Sequence, residues 1–83
     1  VLDYLELSDE HSIVEIVASN KLDGKSLIDL DIRARYGINI VAFKRGSEII
    51  VSPQANETIQ KDDILIVIGA DQDISRFEKK VLE

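Results

Sequence analysis

Hydrophobic positions divide the chain into short segments with the spacing of strands or of helices. Residues 13–18 are rich in β-branched side chains and predict a strand, and residues 38–43, 48–51 and 64–68 predict three more. Residues 4–7 alternate weakly and are interpreted as a weak strand or a linker. The sheet is therefore expected to hold about four strands.

The side-chain pattern within these strands predicts their two faces. Only Glu15 interrupts residues 13–18, so we expect both faces of that strand to be largely covered. Alternation along residues 38–43 predicts one face for the even-numbered side chains and the opposite face for the odd-numbered ones, which end with Phe43. Residues 45–47 indicate a hairpin loop, and Pro53 ends the following strand or marks a sheet edge.

A first helical stretch is predicted from Ser26 onward, with Gly37 suited to the left-handed position after its end. Asp31 could cap a second helical turn, in which case the apolar stripes need not share one straight axis. The stripes are Leu27, Leu30 and Ala34 on the core side, and Ile28 and Ile32 on a different face.

A final helix is predicted to begin at Asp71, a plausible N-cap, with a core stripe of Ile74, Phe77 and Val81. The element order is therefore β, α, β, β, β, α, with a possible extra strand at the start. This order predicts an α+β fold in which two helices lie on one face of a small antiparallel or mixed sheet.

Composition and charge narrow the possible functions. The 83 residues are 45% hydrophobic and 31% charged, which predicts one folded domain. The formal net charge of −6 disfavours nucleic acid and anionic lipid as partners. The longest apolar run, residues 64–68, is far below the ~20 residues of a membrane span. Because the chain begins without methionine, we expect it to be a fragment of a longer protein.

The residues needed for catalysis or tight metal binding are missing from the sequence. Cysteine is absent, and the lone His11 is interpreted as a solvated residue in a polar turn. No nucleophile or phosphate-loop motif is present, so we expect no enzyme activity, no catalytic residue and no metal site. The carboxylates are interpreted as a solvated acidic rim, formed by Asp9, Glu10, Asp62, Asp63, Asp71 and Asp73.

Two arginines stand out in this acidic chain. Arg33 and Arg35 lie beside Ile28, Ile32 and Tyr36, which places positive charge on a partly apolar surface. One interpretation is solvated arginines beside ordinary packing residues. The other is an interface or anion-binding groove, because a guanidinium can fork two hydrogen bonds to a phosphate while isoleucines cover an aromatic ring.

The order of several short motifs resembles that found in the C-terminal RCK domain family (TrkA-C). The sequences of residues 2–9 and 29–37 are most similar to those of Ktr-type regulatory subunits of Gram-positive bacteria. Asp62 departs from the pattern, because many family members have glycine there. The motifs are Gly24-Lys25-Ser26-Leu27, Leu30-Asp31-Ile32-Arg33, Tyr36-Gly37, residues 40–46 and residues 63–69.

The resemblance implies that residues 1–83 are a homodimeric regulatory domain that lacks its preceding nucleotide-binding RCK domain. It also implies a cytoplasmic protein beside a membrane potassium-transporting subunit. Its effector would be cyclic di-AMP, whose binding reduces potassium uptake, with no cofactor in this domain. The alternative is a structural dimerisation module without a nucleotide of its own.

The resemblance further implies a ligand site at the homodimer interface. Arg33 would contact a phosphate, Asn39 an adenine or ribose, and Asp31 an amino or hydroxyl group. Arg35 is the alternative phosphate contact, and Asp31 could instead only cap a helical turn. The apolar walls would be Ile28, Ile32, Ile40 and Pro53, of which Ile40 could be plain core and Pro53 could only protect a sheet edge.

Overall fold

The fold is built on a five-stranded antiparallel sheet. This computed structural model describes residues 2–82 of the chain. Its strands are β1 (Asp3–Glu6), β2 (His11–Val17), β3 (Asn39–Arg45), β4 (Glu48–Val51) and β5 (Ile64–Ala70). The helices are α1 (Leu27–Leu30), α2 (Ile32–Tyr36) and α3 (Asp71–Leu82), with a 3₁₀ turn at Asn20–Leu22. The strand order is β1-β2-β5-β3-β4.

The sheet has one strand more than predicted. Residues 4–7 were expected to form a weak strand or a linker, and β1 in fact pairs with β2 from Asp3 opposite Glu15 to Glu6 opposite Ser12. The side chains of β1 are all exposed, which is why its hydrophobic pattern was weak. Every strand pairing in residues 2–82 is antiparallel, so the predicted α+β class is confirmed and the mixed-sheet alternative is wrong.

The strand β2 differs from its prediction at both ends. His11 is exposed, as expected, but it begins β2 instead of lying in a turn, and its Nδ1 lies 2.9 Å from the Ser8 hydroxyl. Val14 and Ile16 are buried, whereas Val17 is exposed. The expectation that both faces are largely covered therefore holds for one face only, because Ile13 and Glu15 on the other face are half-buried and Val17 is exposed.

A β-bulge in β3 changes which side chains face the core. Ile40 lies opposite Val67 of β5, and Ala42 lies opposite Ile66, the neighbour of Val67. Val41 is therefore the extra residue of the bulge. Phe43 is consequently opposite Leu65 and completely buried. The prediction that Phe43 shares a face with the other odd-numbered side chains is wrong, because one inserted residue reverses the alternation.

The first helical stretch breaks at Asp31, which adopts a left-handed backbone with φ 47° and ψ 46°. The break changes the helical phase, so Ile32 and Tyr36 are buried and Ala34 is exposed. The predicted core stripe therefore fails at Ala34, although its first two leucines do pack against the core. Gly37 takes the predicted left-handed position, with φ 72°.

The final helix starts at Asp71 and buries its predicted stripe of Ile74, Phe77 and Val81. The predicted N-cap role of Asp71 is wrong, because Asp71 is the first helical residue and its carboxylate accepts a 2.6 Å hydrogen bond from the Ser12 hydroxyl. An edge-to-face contact, 5.3 Å between the rings of Tyr36 and Phe77, joins α2 to α3. In residues 2–82 no helix combines the length and the apolar content that crossing a membrane requires.

One carboxylate of the expected acidic rim is a core residue. The side chain of Asp63 is 1% exposed and accepts two hydrogen bonds from Arg45, at 2.9 and 2.7 Å, and one from the Gln60 amide. Burial alone would raise the pKa of Asp63, but the bonds from Arg45 and Gln60 outweigh burial and lower it. The rim interpretation is therefore wrong for Asp63, because a nearby arginine satisfies its charge inside the fold.

Candidate functional site

A surface cavity of about 370 Å³ lies between the paired short helices, the start of β3 and the loop that follows β4. The structure brings all seven sequence-predicted site residues around this single cavity. They are Ile28, Asp31, Ile32, Arg33, Asn39, Ile40 and Pro53, and the lining is completed by Leu27, Ile38 and Ala55. Residues from three separate parts of the chain thus meet in one place.

Backbone hydrogen bonds fix the loop against the start of α1. The Ile28 amide donates to the Ala55 carbonyl at 2.8 Å, and the Leu27 amide donates to the Glu57 carbonyl at 3.0 Å. These amides belong to the first turn of a helix and have no partner within it. The loop supplies the missing acceptors, so the wall that contains Pro53 and Ala55 is held beside the helix.

Ser26 starts this helix as the sequence predicted. Its hydroxyl accepts a 3.2 Å hydrogen bond from the Asp29 amide and so caps α1. Ser26 also forms an isolated antiparallel bridge with Thr58 at the far end of the loop. The cap and the bridge together position Ile28 on the rim of the cavity.

Arg33 and Asn39 form the polar side of the cavity. The Arg33 Nε donates a 3.0 Å hydrogen bond to the Asn39 Oδ1, which ties α2 to the first residue of β3. No carboxylate in residues 2–82 forms an ion pair with Arg33. Because a guanidinium carries five N–H donors and this bond uses one, Arg33 is oriented and retains donors for an anion.

Asp31 places a carboxylate on the same cavity. Asp31 is at the N-cap position, directly before α2, but its side chain makes no capping hydrogen bond. Its backbone instead bridges the two helices, since its amide donates to the Leu27 carbonyl and its carbonyl accepts from the Arg35 amide. The side chain is therefore not used in holding the helices together.

The apolar wall contains residues of very different burial. Ile28 is 65% exposed, Ile40 and Pro53 are half-buried, and Ile32 belongs to the core. Ile40 also packs against the core, so it serves both as a cavity wall and as a packing residue. Ile28 is consequently the apolar side chain that a ligand or a second copy of the chain could cover most completely.

Arg35, the alternative phosphate contact, lines a different cavity, together with Tyr36 and the end of α3. Sequence reasoning also missed three lining residues of the first cavity. Leu27 was assigned to the core stripe, Ile38 to the strand that the resemblance places at the site but with no role in it, and Ala55 to no site. Ala55 has no signal in the sequence, because its place in the cavity wall depends on the hydrogen bond that its carbonyl accepts from the Ile28 amide of α1.

Residues 11–82 match the model of the TrkA-C domain family. The chain belongs to the TrkA-C domain family. The family resemblance read from the sequence is therefore confirmed, and the architecture described above is the TrkA-C fold of this chain.

A curated relative of this TrkA-C domain is the Ktr system potassium uptake protein C of Bacillus subtilis (strain 168). The two are 72% identical over 82 residues, covering 99% of this chain and 37% of that protein. The chain thus spans little more than a third of that relative. A second relative, the Ktr system potassium uptake protein A of the same organism, is 49% identical over 80 residues and is covered to 36%.

Solved structures of the same family superpose well on this chain. The RCK C domain of the potassium transport protein KtrA, solved in complex with cyclic di-AMP, has a TM-score of 0.84 and 60% identity, with 90% of this chain and 88% of that chain covered. The RCK_C domain dimer of Streptococcus agalactiae BusR, also with cyclic di-AMP, has a TM-score of 0.73 and 28% identity, with coverages of 81% and 85%.

Proposed function

We propose that this TrkA-C domain binds cyclic di-AMP between two copies of itself and that binding regulates a potassium-uptake protein. The observation that carries the proposal is the cavity at which Arg33, Asn39 and Asp31 face an isoleucine-rich wall. The similarity to a KtrA domain solved with this nucleotide supports the same ligand. Arg33 would bind phosphate, and Asn39 and Asp31 would contact adenine or ribose.

The symmetry of the ligand favours two copies of the chain. Cyclic di-AMP has two adenines, two phosphates and a two-fold axis, and a symmetric homodimer presents the same patch twice around its own axis. The cavity of one copy, about 370 Å³, is near the lower end of the about 300–1,000 Å³ typical of small-molecule sites. Two such cavities facing each other would enclose one dinucleotide. The dimer solved for BusR supports this arrangement.

Calorimetric titration of the domain with cyclic di-AMP tests the proposal. We expect saturable binding at one nucleotide per two chains. Arg33→Ala should weaken it by about tenfold or more, since it removes a charge-assisted contact on each of two copies. Arg35→Ala is the matched variant, because it removes the same charge from the same helix at a different cavity. Equal losses in both variants, or no binding at high micromolar nucleotide, would contradict the proposal.

The regulatory effect belongs to the longer protein. A bound effector changes activity only if its affinity differs between two conformations of the regulator. We propose that cyclic di-AMP favours the state with lower potassium uptake, in a cytoplasmic regulator attached to a membrane subunit. Uptake by vesicles that contain the full-length regulator and transporter should fall when the nucleotide is added, and Arg33→Ala should remove that response.

A dimerisation module without a ligand is the second candidate, and the exposure of Ile28 favours it. An isoleucine that is 65% exposed on the rim of an apolar wall is suited to an interface between proteins. Sedimentation equilibrium separates the two candidates. Dimerisation that nucleotide leaves unchanged, with no heat in the titration, would favour the module, whereas dimerisation strengthened by the nucleotide would favour the ligand-binding domain.

A further inference from the structure

A second cavity, of about 470 Å³, lies between the 3₁₀ turn, the end of α2 and the last turn of α3. Four of the ten lysines and arginines of the chain line it, although the chain has a net charge of −6. No carboxylate is among its described lining residues. The four cations are Lys21, Lys25, Arg35 and Lys80, and the other lining residues are Asn20, Leu22, Leu30, Tyr36 and Val81.

These cations are not neutralised by the fold. The ion pairs found within residues 2–82 use Lys44, Arg45 and Arg76, and none of them uses a cation of this cavity. The side chains of all four are exposed. Unpaired like charges that share one cavity repel one another, and an anion inside the cavity would remove that repulsion.

Helix dipoles account for only part of the cluster. Arg35 and Lys80 lie in the last turns of α2 and α3, where the dipole favours cations. Lys21 belongs to a single 3₁₀ turn, and Lys25 lies in the connection before α1, so neither is part of the last turn of an α-helix, although both line the cavity at the ends of α2 and α3. The dipoles favour cations there, but four cations around one cavity still repel one another.

Specific contacts build the frame of this cavity. The Ser19 hydroxyl donates a 2.6 Å hydrogen bond to the Val81 carbonyl and fastens the 3₁₀ turn to the end of α3. The Arg35 guanidinium lies 5.6 Å from the centre of the Tyr36 ring, which restricts its orientation. Leu22 and Val81 are buried, so the floor is apolar and part of the core.

We infer that this basic cavity binds the phosphate chain of a soluble polyphosphate-bearing ligand. A triphosphate matches four separate cations better than a single carboxylate does, because it offers several negative charges and many acceptor oxygens within a short reach. Lysine ammonium groups bind phosphate as point charges, and arginine can bind it with two parallel hydrogen bonds. The cavity is separate from the cyclic di-AMP cavity, and the inference does not depend on that nucleotide.

The test uses inorganic tripolyphosphate as the probe and two-dimensional NMR of the labelled chain as the readout. We expect saturable shifts at the amides of residues 20–25, 35–36 and 80–81. Lys80→Ala should weaken binding by about fivefold, and adding Lys21→Ala should weaken it further. Lys79→Ala is the matched control, since it is the adjacent exposed lysine of the same helix and does not line the cavity.

Three results would overturn the inference. The first is the absence of saturation by about 1 mM tripolyphosphate. The second is an equal loss of affinity in Lys79→Ala and Lys80→Ala, which would indicate general attraction to surface lysines. The third is saturation of the same amides by a polyglutamate peptide but not by tripolyphosphate, which would assign the cavity to an acidic protein segment. Saturating cyclic di-AMP should leave the tripolyphosphate shifts in place, so failure of either site is seen separately.

Discussion

Asp62 and Asp63 are adjacent carboxylates with opposite environments. Asp62 is exposed and has a left-handed backbone, with φ 73°. Asp63 is buried and forms a bidentate ion pair with Arg45. The sequence predicted one solvated rim for both, because residues 56–63 are polar and hydrophobic patterning carries no information on which carboxylate turns inward. That choice depends on Arg45, which lies far away along the chain.

Replacing Asp62 by glycine should stabilise the fold. A left-handed backbone is strained for a residue with a Cβ and relaxed for glycine, so we expect a gain of about 0.5–1 kcal/mol in the free energy of unfolding. For a chain of this size the melting temperature should rise by about 2–8 °C. Thermal unfolding measures it, with Asp62→Ala as the control that removes the carboxylate without relieving the strain. A lower melting temperature for Asp62→Gly would contradict the prediction.

Asp63→Asn should destabilise the fold by at least about 2 kcal/mol at neutral pH. Breaking a fully buried ion pair costs about 3–5 kcal/mol, and the cost here is smaller because the Arg45 side chain is 31% exposed. Urea unfolding at pH 7 measures the loss. The exposed Asp9→Asn is the control and should remain within about 0.5 kcal/mol of the unmodified chain.

The same pair predicts a pH dependence. Because the pKa of Asp63 is lower in the folded chain than in the unfolded one, its stabilisation is complete above the unfolded value of about 4 and is lost as the pH falls through the folded value. The difference in unfolding free energy between the unmodified chain and Asp63→Asn should therefore be constant from pH 7 to 5 and shrink below pH 4. A difference that stays constant down to pH 2 would contradict this assignment.

At the scale of elements, periodicity predicted most of the sheet and the last helix, because their apolar side chains repeat without interruption. It failed at Val41, which adds a bulge that depends on the pairing of β3 with the distant β5. It left the break at Asp31, which rotates the helical phase, only as an alternative. The phase break also explains why the sequence left Arg33 and Arg35 as alternatives. Positions two apart on a helix point about 200° apart, so only one of the two arginines could line the site, and the phase break hid which one. The site residues themselves came from family resemblance.

The close packing of Ile38 on Gly69 of β5 leads to a prediction about how the fold tolerates a larger residue there. A Cβ added to Gly69 would lie 2.7 Å from the Cγ2 of Ile38, the residue before β3, so the Ile38 side chain can pack this closely on β5 only because residue 69 is glycine. Gly69→Ala should cost about 1–3 kcal/mol of unfolding free energy. In a double-mutant cycle with Ile38→Ala, the paired variant should lose less than the sum of the single losses, and simple additivity would contradict the predicted contact.

Across the whole molecule, this acidic domain gathers four cations at one cavity and leaves an exposed isoleucine beside the other, where Arg33 and Asp31 lie. If two copies meet there, Ile28→Ser changes the interface twice. We expect nucleotide-dependent dimerisation to weaken by about tenfold or more, with the fold intact. Sedimentation equilibrium measures it. Ile49→Ser is the control, since it also removes an exposed isoleucine but lies in β4 and does not line the cavity.

The central claim is that one cyclic di-AMP molecule lies between two copies of this domain. A crystal structure of the domain grown with that nucleotide tests it most directly. We expect a single ligand on a two-fold axis, with Arg33 and Asn39 of both copies in contact with it. Ligand density away from the interface between copies, or none at all, would show that the domain does not bind the nucleotide in this way.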